Sequence, residues 1–138
     1  IYFLEDFMER ENDFGVFAVM YVKQLIEANE RPSIDGWKNF IYMQTKNVNK
    51  ANKVCPRTAF LGLCEEGYIK NIPVGMYLNK VNCKNKQYAI AAIEILKKDD
   101  SLKNNPKKLW ELVPNHPNSH NGQMNVVCSL WNANLIVK

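Results

Sequence analysis

Cys55 stands second in the run VCPRTAF, and a thiol at a helix start faces unpaired backbone N–H groups and the positive end of the helix dipole. Arg57, two residues on, adds a second positive influence, and both favour thiolate over thiol. The chemistry this pattern could do is nucleophilic attack. A second polar set, His120, Asn121 and Gln123 in SHNGQM, supplies an imidazole and two amides. In a cysteine-dependent hydrolase or transferase, a His deprotonates and orients the thiol and an amide orients the His. Cys55 as nucleophile, His120 as base and Asn121 or Gln123 as orienter therefore make one coherent constellation. The same residues have a simpler use. Cys55 can merely cap its helix, and Ser119 or His120 can cap the last helix with Asn121 in the turn before it.

Two further chemistries can be weighed on the same segments. His116 and His120 are four apart, a spacing that puts two ligands on one helix face, but HPNSH contains Pro117 and reads as a loop. There is no Cys-x-x-Cys and no His-Glu-x-x-His, so no metal site is expected. No Gly-rich phosphate loop is present either, and no cofactor is implied. A short Trp-bearing helix, a turn, and a helix ending in a Gly or Asn stop resemble the way helix-turn-helix modules place a recognition helix. On that reading Arg57, Gln123 and Asn125 are the candidate binding side chains. Gln123, Asn125, Ser129 and Asn132 would form a polar outer face on the last helix, while Glu65 and Glu66 on the corresponding earlier helix would repel phosphate.

The elements that must position these residues are helices. Phe14, Phe17, Ala18, Tyr21, Val22, Leu25 and Ile26 recur at spacings of three and four, which predicts an amphipathic helix, with Gly15 dividing it from a short first segment bearing Leu4, Phe7 and Met8. Ser33 is placed as N-cap for a helix carrying Ile34, Trp37, Phe40 and Ile41. Thr45 to Val54, rich in Asn and Lys, reads as a polar surface loop. Pro56 suits the first position of a third helix burying Ala59, Phe60, Leu63 and Cys64, and Gly67 stops it in the left-handed conformation. After an irregular connector, the order repeats. Tyr88, Ala89, Ala92, Ile93 and Leu96 mark a fourth helix, Leu109, Trp110, Leu112 and Val113 a short fifth starting near Pro106, and Met124, Val127, Cys128, Leu130 and Trp131 a sixth that stops at Asn134. Placing the two stops in register pairs Leu63 with Leu130.

The expected architecture is therefore all-α, about six helices in two pseudo-repeated three-helix lobes, helix-turn-helix-like in order. One lobe spans about 1–70 and the other about 85–138, within a single compact domain. The lobes should pack through the long N-terminal helix and the Ala-rich fourth helix.

Composition narrows the class without naming a function. With 138 residues, 46% of them hydrophobic, the chain can bury a sizeable core, and 23% charged residues with net charge +4 allow a nucleic-acid or acidic partner without indicating one. No apolar run approaches the ~20 residues that span a bilayer, and IYFLEDFMER lacks the basic start and apolar core of a secretory signal. A cytoplasmic protein with no membrane association is expected, and its four cysteines are expected to be reduced thiols. The blocks CPRTAFLGLCEEGYIKNIPVGMY and HNGQMNVVCSLWNANLI, with NKQYAIAAIEIL and LWELV between them, resemble a family of small bacterial proteins classed as a domain of unknown function. The resemblance implies a stand-alone bacterial domain and carries no catalytic residues over. The function that fits best is a small helical binding module for a protein partner, a second copy of itself included, or for nucleic acid. The alternative is the cysteine-dependent enzyme built on Cys55 and His120.

Overall fold

The computed structural model describes residues 14–79 and 83–138. Six helices carry the described chain: α1 (Phe14–Ala28), α2 (Ile34–Thr45), α3 (Val54–Glu65), α4 (Lys84–Lys98), α5 (Pro106–Leu112) and α6 (Gln123–Asn132), with a 3₁₀ segment at Asp100–Asn104. No strand occurs among the described residues, only an isolated antiparallel bridge between Ile69 and Ile136. The expected short segment bearing Leu4, Phe7 and Met8 lies outside the described residues.

Local chemistry sets most helix ends. The Ser33 hydroxyl accepts from the Gly36 N–H at 2.9 Å, closing one of the unpaired donors at the start of α2. Pro106 occupies the first turn of α5, where its missing N–H costs nothing. At the far ends of α3 and α6, Gly67 (φ +80°) and Asn134 (φ +60°) both turn left-handed. The backbone closes the same way after each: Tyr68 N donates to Leu63 O and Leu135 N to Leu130 O, both at 3.0 Å. The two chain segments then meet, Lys70 N donating to Leu135 O and Val137 N to Tyr68 O, each at 2.8 Å.

Three local expectations are corrected. The stretch from Thr45 to Val54 is not all loop, because Asn47 Oδ1 accepts from Lys50 N at 3.0 Å and caps a single helical turn, Val48–Ala51, whose Ala51 is buried. One turn is too short to show a period. Lys53, not Cys55, takes the cap position of α3, so Cys55 and Pro56 fall second and third inside the helix, where an N–H still lacks an intrahelical partner. Gly15 does not interrupt α1. Its missing side chain lets α1 settle onto α6, where a Cβ would overlap Ser129 Oγ and the Asn125 carbonyl oxygen.

That close approach reveals the packing scheme. α1 packs chiefly on α6, and α4 chiefly on α3, so the first helix of each half lies on the third helix of the other. The expected junction of α1 with α4 is not the one formed. Tyr21, Trp37 and Phe60 bring α1, α2 and α3 together around a stacked Trp37–Phe60 pair with centroids 5.0 Å apart, a cluster whose ring-to-Ala losses would each cost about 3–5 kcal/mol. A smaller cluster sets Tyr88 of α4 edge-on to Trp110 of α5 at 5.3 Å. All four cysteines are free thiols.

Candidate functional site

The fold brings the starts of α3 and α6 together. Gly122 takes φ +91° at the cap of α6, a conformation few L residues adopt, and a Cβ there would stand 3.1 Å from the Phe14 ring and 3.5 Å from Pro56 Cβ. A small cleft of about 110 Å³ opens at this junction, lined by Phe14, Lys53, His120, Asn121, Gly122 and Asn125. Cys55 is half-buried beside the junction but does not line the cleft.

His120 and Gln123 both have structural occupations. His120 Nε2 accepts the Met124 N–H at 2.9 Å, which fixes the neutral ring as the tautomer protonated on Nδ1. The ring's one lone pair is then committed to capping α6, leaving none to take a proton from a thiol. Burial holds His120 below the ordinary histidine range, and its ring lies against Trp110 at 5.4 Å. Asn121 donates its backbone N–H to Gln123 Oε1 at 2.8 Å, and Gln123 Nε2 donates to Asn85 Oδ1 at 3.0 Å, tying α6 to the first turn of α4. Gln123 is only 1% exposed. The polar outer face expected on α6 is therefore corrected in part: Gln123 is buried, and Asn125 and Ser129 are half-buried where Gly15 of α1 approaches, while Asn132 stays exposed. A recognition helix must be free to enter a groove, and α6 is packed by α1, α3, α4 and α5. Arg57 is half-buried, and its Nε is enclosed without a hydrogen-bond partner.

Glu65, expected as an exposed acid, turns out to organise the connector. Its Oε2 accepts from Tyr77 N at 2.8 Å and Leu78 N at 2.7 Å, while Oε1 meets Lys86 Nζ at 2.9 Å. Burial acts to raise its pKa, but the Lys86 ammonium and the two amides outweigh burial and hold the carboxyl below its ordinary value. Lys86 also pairs with Glu66 at 2.6 Å. Nothing in the sequence marks Glu65 apart from Glu66.

The family can be settled once this geometry is in place. The chain matches the model of the Family of unknown function (DUF6979) over residues 11–137. It belongs to that family. No curated protein and no solved structure matches it. Among the described residues, no three His, Cys, Asp or Glu side chains converge as a metal site would need, and no helix is long and apolar enough to cross a membrane.

The surface also carries an exposed apolar stretch that spacing along the chain does not predict. Tyr42 and Met43 at the end of α2, Val48 on the following turn and Val54 at the start of α3 are 41%, 63%, 59% and 43% exposed. They fall within one short stretch in which the Val48–Ala51 turn folds back on α2. Lys46 stands among them, its Nζ 5.5 Å from the Tyr42 ring centroid and 3.9 Å from Met43 Sδ. The sequence cue was available: YM and NV do not fit the buried face that Trp37, Phe40 and Ile41 define on α2.

Proposed function

We propose that this protein is a binding module for another protein, and that the surface formed by the end of α2, the Val48–Ala51 turn and the start of α3 is where the partner sits. The observation that carries the reading is that Tyr42, Met43, Val48 and Val54, four exposed apolar side chains, fall within 13 residues of chain, whereas Met20, Ile26, Leu112 and Val137 are exposed at separate places. Apolar residues scattered singly on a surface need no explanation, whereas a group on one stretch marks an interaction site. A partner that covered Met43 and Val48 would gain roughly 1.5–3 kcal/mol for each side chain fully removed from water. Two observations weigh against the rival readings: His120 Nε2 is engaged in capping α6, and Gln123 is buried against α4.

The test is a comparison of partners captured from the native cell by tagged protein and by the double variant Met43→Ser/Val48→Ser, with Val137→Ser as a control at another exposed apolar position. A protein enriched by the wild type and by Val137→Ser but lost from the double variant supports the reading. A self-association lost in sedimentation of the same double variant makes the partner a second copy. An unchanged capture profile and unchanged sedimentation would sink it.

A further inference from the structure

We infer that the partner presents an acidic segment with apolar side chains interspersed, docking on the Tyr42–Val54 surface; the inference rests on the placement of the binding face proposed above. Between Asp35 and Glu65 the chain carries no acidic residue, yet it carries Lys38, Lys46, Lys50, Lys53 and Arg57. Elsewhere the surface mixes signs, as where Lys97 meets Glu94 at 3.3 Å. Lys46 and Lys53 are exposed and pair with no carboxylate among the described residues. Instead Lys46 rests on Tyr42 and Met43, so its ammonium borders the exposed apolar group. Lys53 lies one residue before Val54 at the start of α3 and also lines the cleft at the α3–α6 junction.

A cation bordering exposed apolar side chains, on a stretch that carries no carboxylate from 36 to 64, specifies a complement: carboxylates for the rim and an apolar side chain for the middle. Nucleic acid answers only half of that description. A phosphate backbone would satisfy the lysines, but it would leave Met43, Val48 and Val54 against water or charge, and Tyr42 is the one exposed aromatic ring of the surface on which a base could stack. An acidic peptide segment satisfies both halves.

The experiment titrates the full chain into a labelled 12-residue helical peptide of Glu and Leu, and into the same peptide with Gln in place of Glu. A labelled DNA duplex is the third probe. The Glu peptide is expected to bind, with at least a tenfold loss for the Gln peptide, a comparable loss in 0.5 M NaCl, and a comparable loss in Lys46→Glu and in Lys53→Glu. Lys103→Glu, on the 3₁₀ segment, should bind as the wild type does. Equal binding of the Glu and Gln peptides, or undiminished binding by both charge variants, overturns the inference, and tighter binding of duplex than of the Glu peptide overturns it in favour of nucleic acid. The native capture separates this failure from that of the face itself. If Met43→Ser/Val48→Ser loses the partner while Lys46→Glu and Lys53→Glu keep it, the face stands and the acidic chemistry falls; if the double variant keeps it, both fall.

Discussion

At the start of α3, Lys53 takes the cap position with no side-chain hydrogen bond to the first turn, and Val54 and Cys55 are left partly in solvent. At the start of α6, Gly122 takes the cap position in a left-handed conformation, His120 accepts from the first turn, and Gln123 is sealed from water. Yet the far ends of these two helices are alike, with left-handed stops and matching backbone hydrogen bonds joined by the Ile69–Ile136 bridge. The difference teaches that the helix starts were free to diverge because their surroundings differ. α6 is packed by four other helices, so its polar groups must find partners inside the protein, whereas the first two residues of α3, Val54 and Cys55, stay partly in solvent. The start carrying chemistry-capable residues at both ends of the scale, His120 and Gln123, is the one most fully committed to holding the fold.

If α6 depends on close cover by α1, Gly15→Ala should have the largest effect among substitutions around the two helix starts. The new methyl meets a backbone carbonyl that cannot swing aside, and an unfolding free energy lower by about 3 kcal/mol is expected in urea titration. Gly122→Ala should follow at about 2 kcal/mol, because it adds left-handed strain to contact with the Phe14 ring. Should either variant be neutral, the close packing at the start of α6 is not what holds it.

His120 gives a sharper readout, since its effect depends on pH. Its folded pKa is lowered from 6.5 while the unfolded chain keeps the ordinary value, so the unfolded state takes the proton more readily. Stability should be unaffected by this group well above pH 6.5 and should fall as the pH drops below it, by at most about 1.4 kcal/mol per unit. Protonation also replaces the lone pair facing the Met124 N–H with a second donor. His120→Gln should lose that acid slope, and His120→Ala should cost about 1 kcal/mol at pH 8 as a lost cap. A wild-type slope retained in His120→Gln would assign it elsewhere. At the other helix start, Cys55→Ala should change stability by no more than about 0.5 kcal/mol, the least of the set. A cost above that of Gly122→Ala would reverse the ranking of the two starts.

Much of the frame was legible in the chain. Ser33, Pro106, Gly67 and Asn134 act on their own backbone neighbours, so residue type alone places them, and spacings of three and four identify Ala18, Val22, Leu25, Ala89, Ile93 and Leu96 as core. The candidate site was legible only as a list of side chains. His120 and Gln123 were visible as polar groups near a helix start, but whether a lone pair or an amide is free depends on partners distant in sequence, such as Asn85 for Gln123.

Six helices, their stops and one buried face for each follow from the chain alone, because those properties come from interactions within a few residues along it. Only the tertiary structure decided that α1 covers the second face of α6, that α4 lies on α3, that Glu65 holds the connector, and that Tyr42, Met43, Val48 and Val54 stay uncovered. A polar helix face is read as wet by default. Whether it is so depends on a neighbour that can come close enough to cover it, and here the absence of a side chain at Gly15 allows that approach.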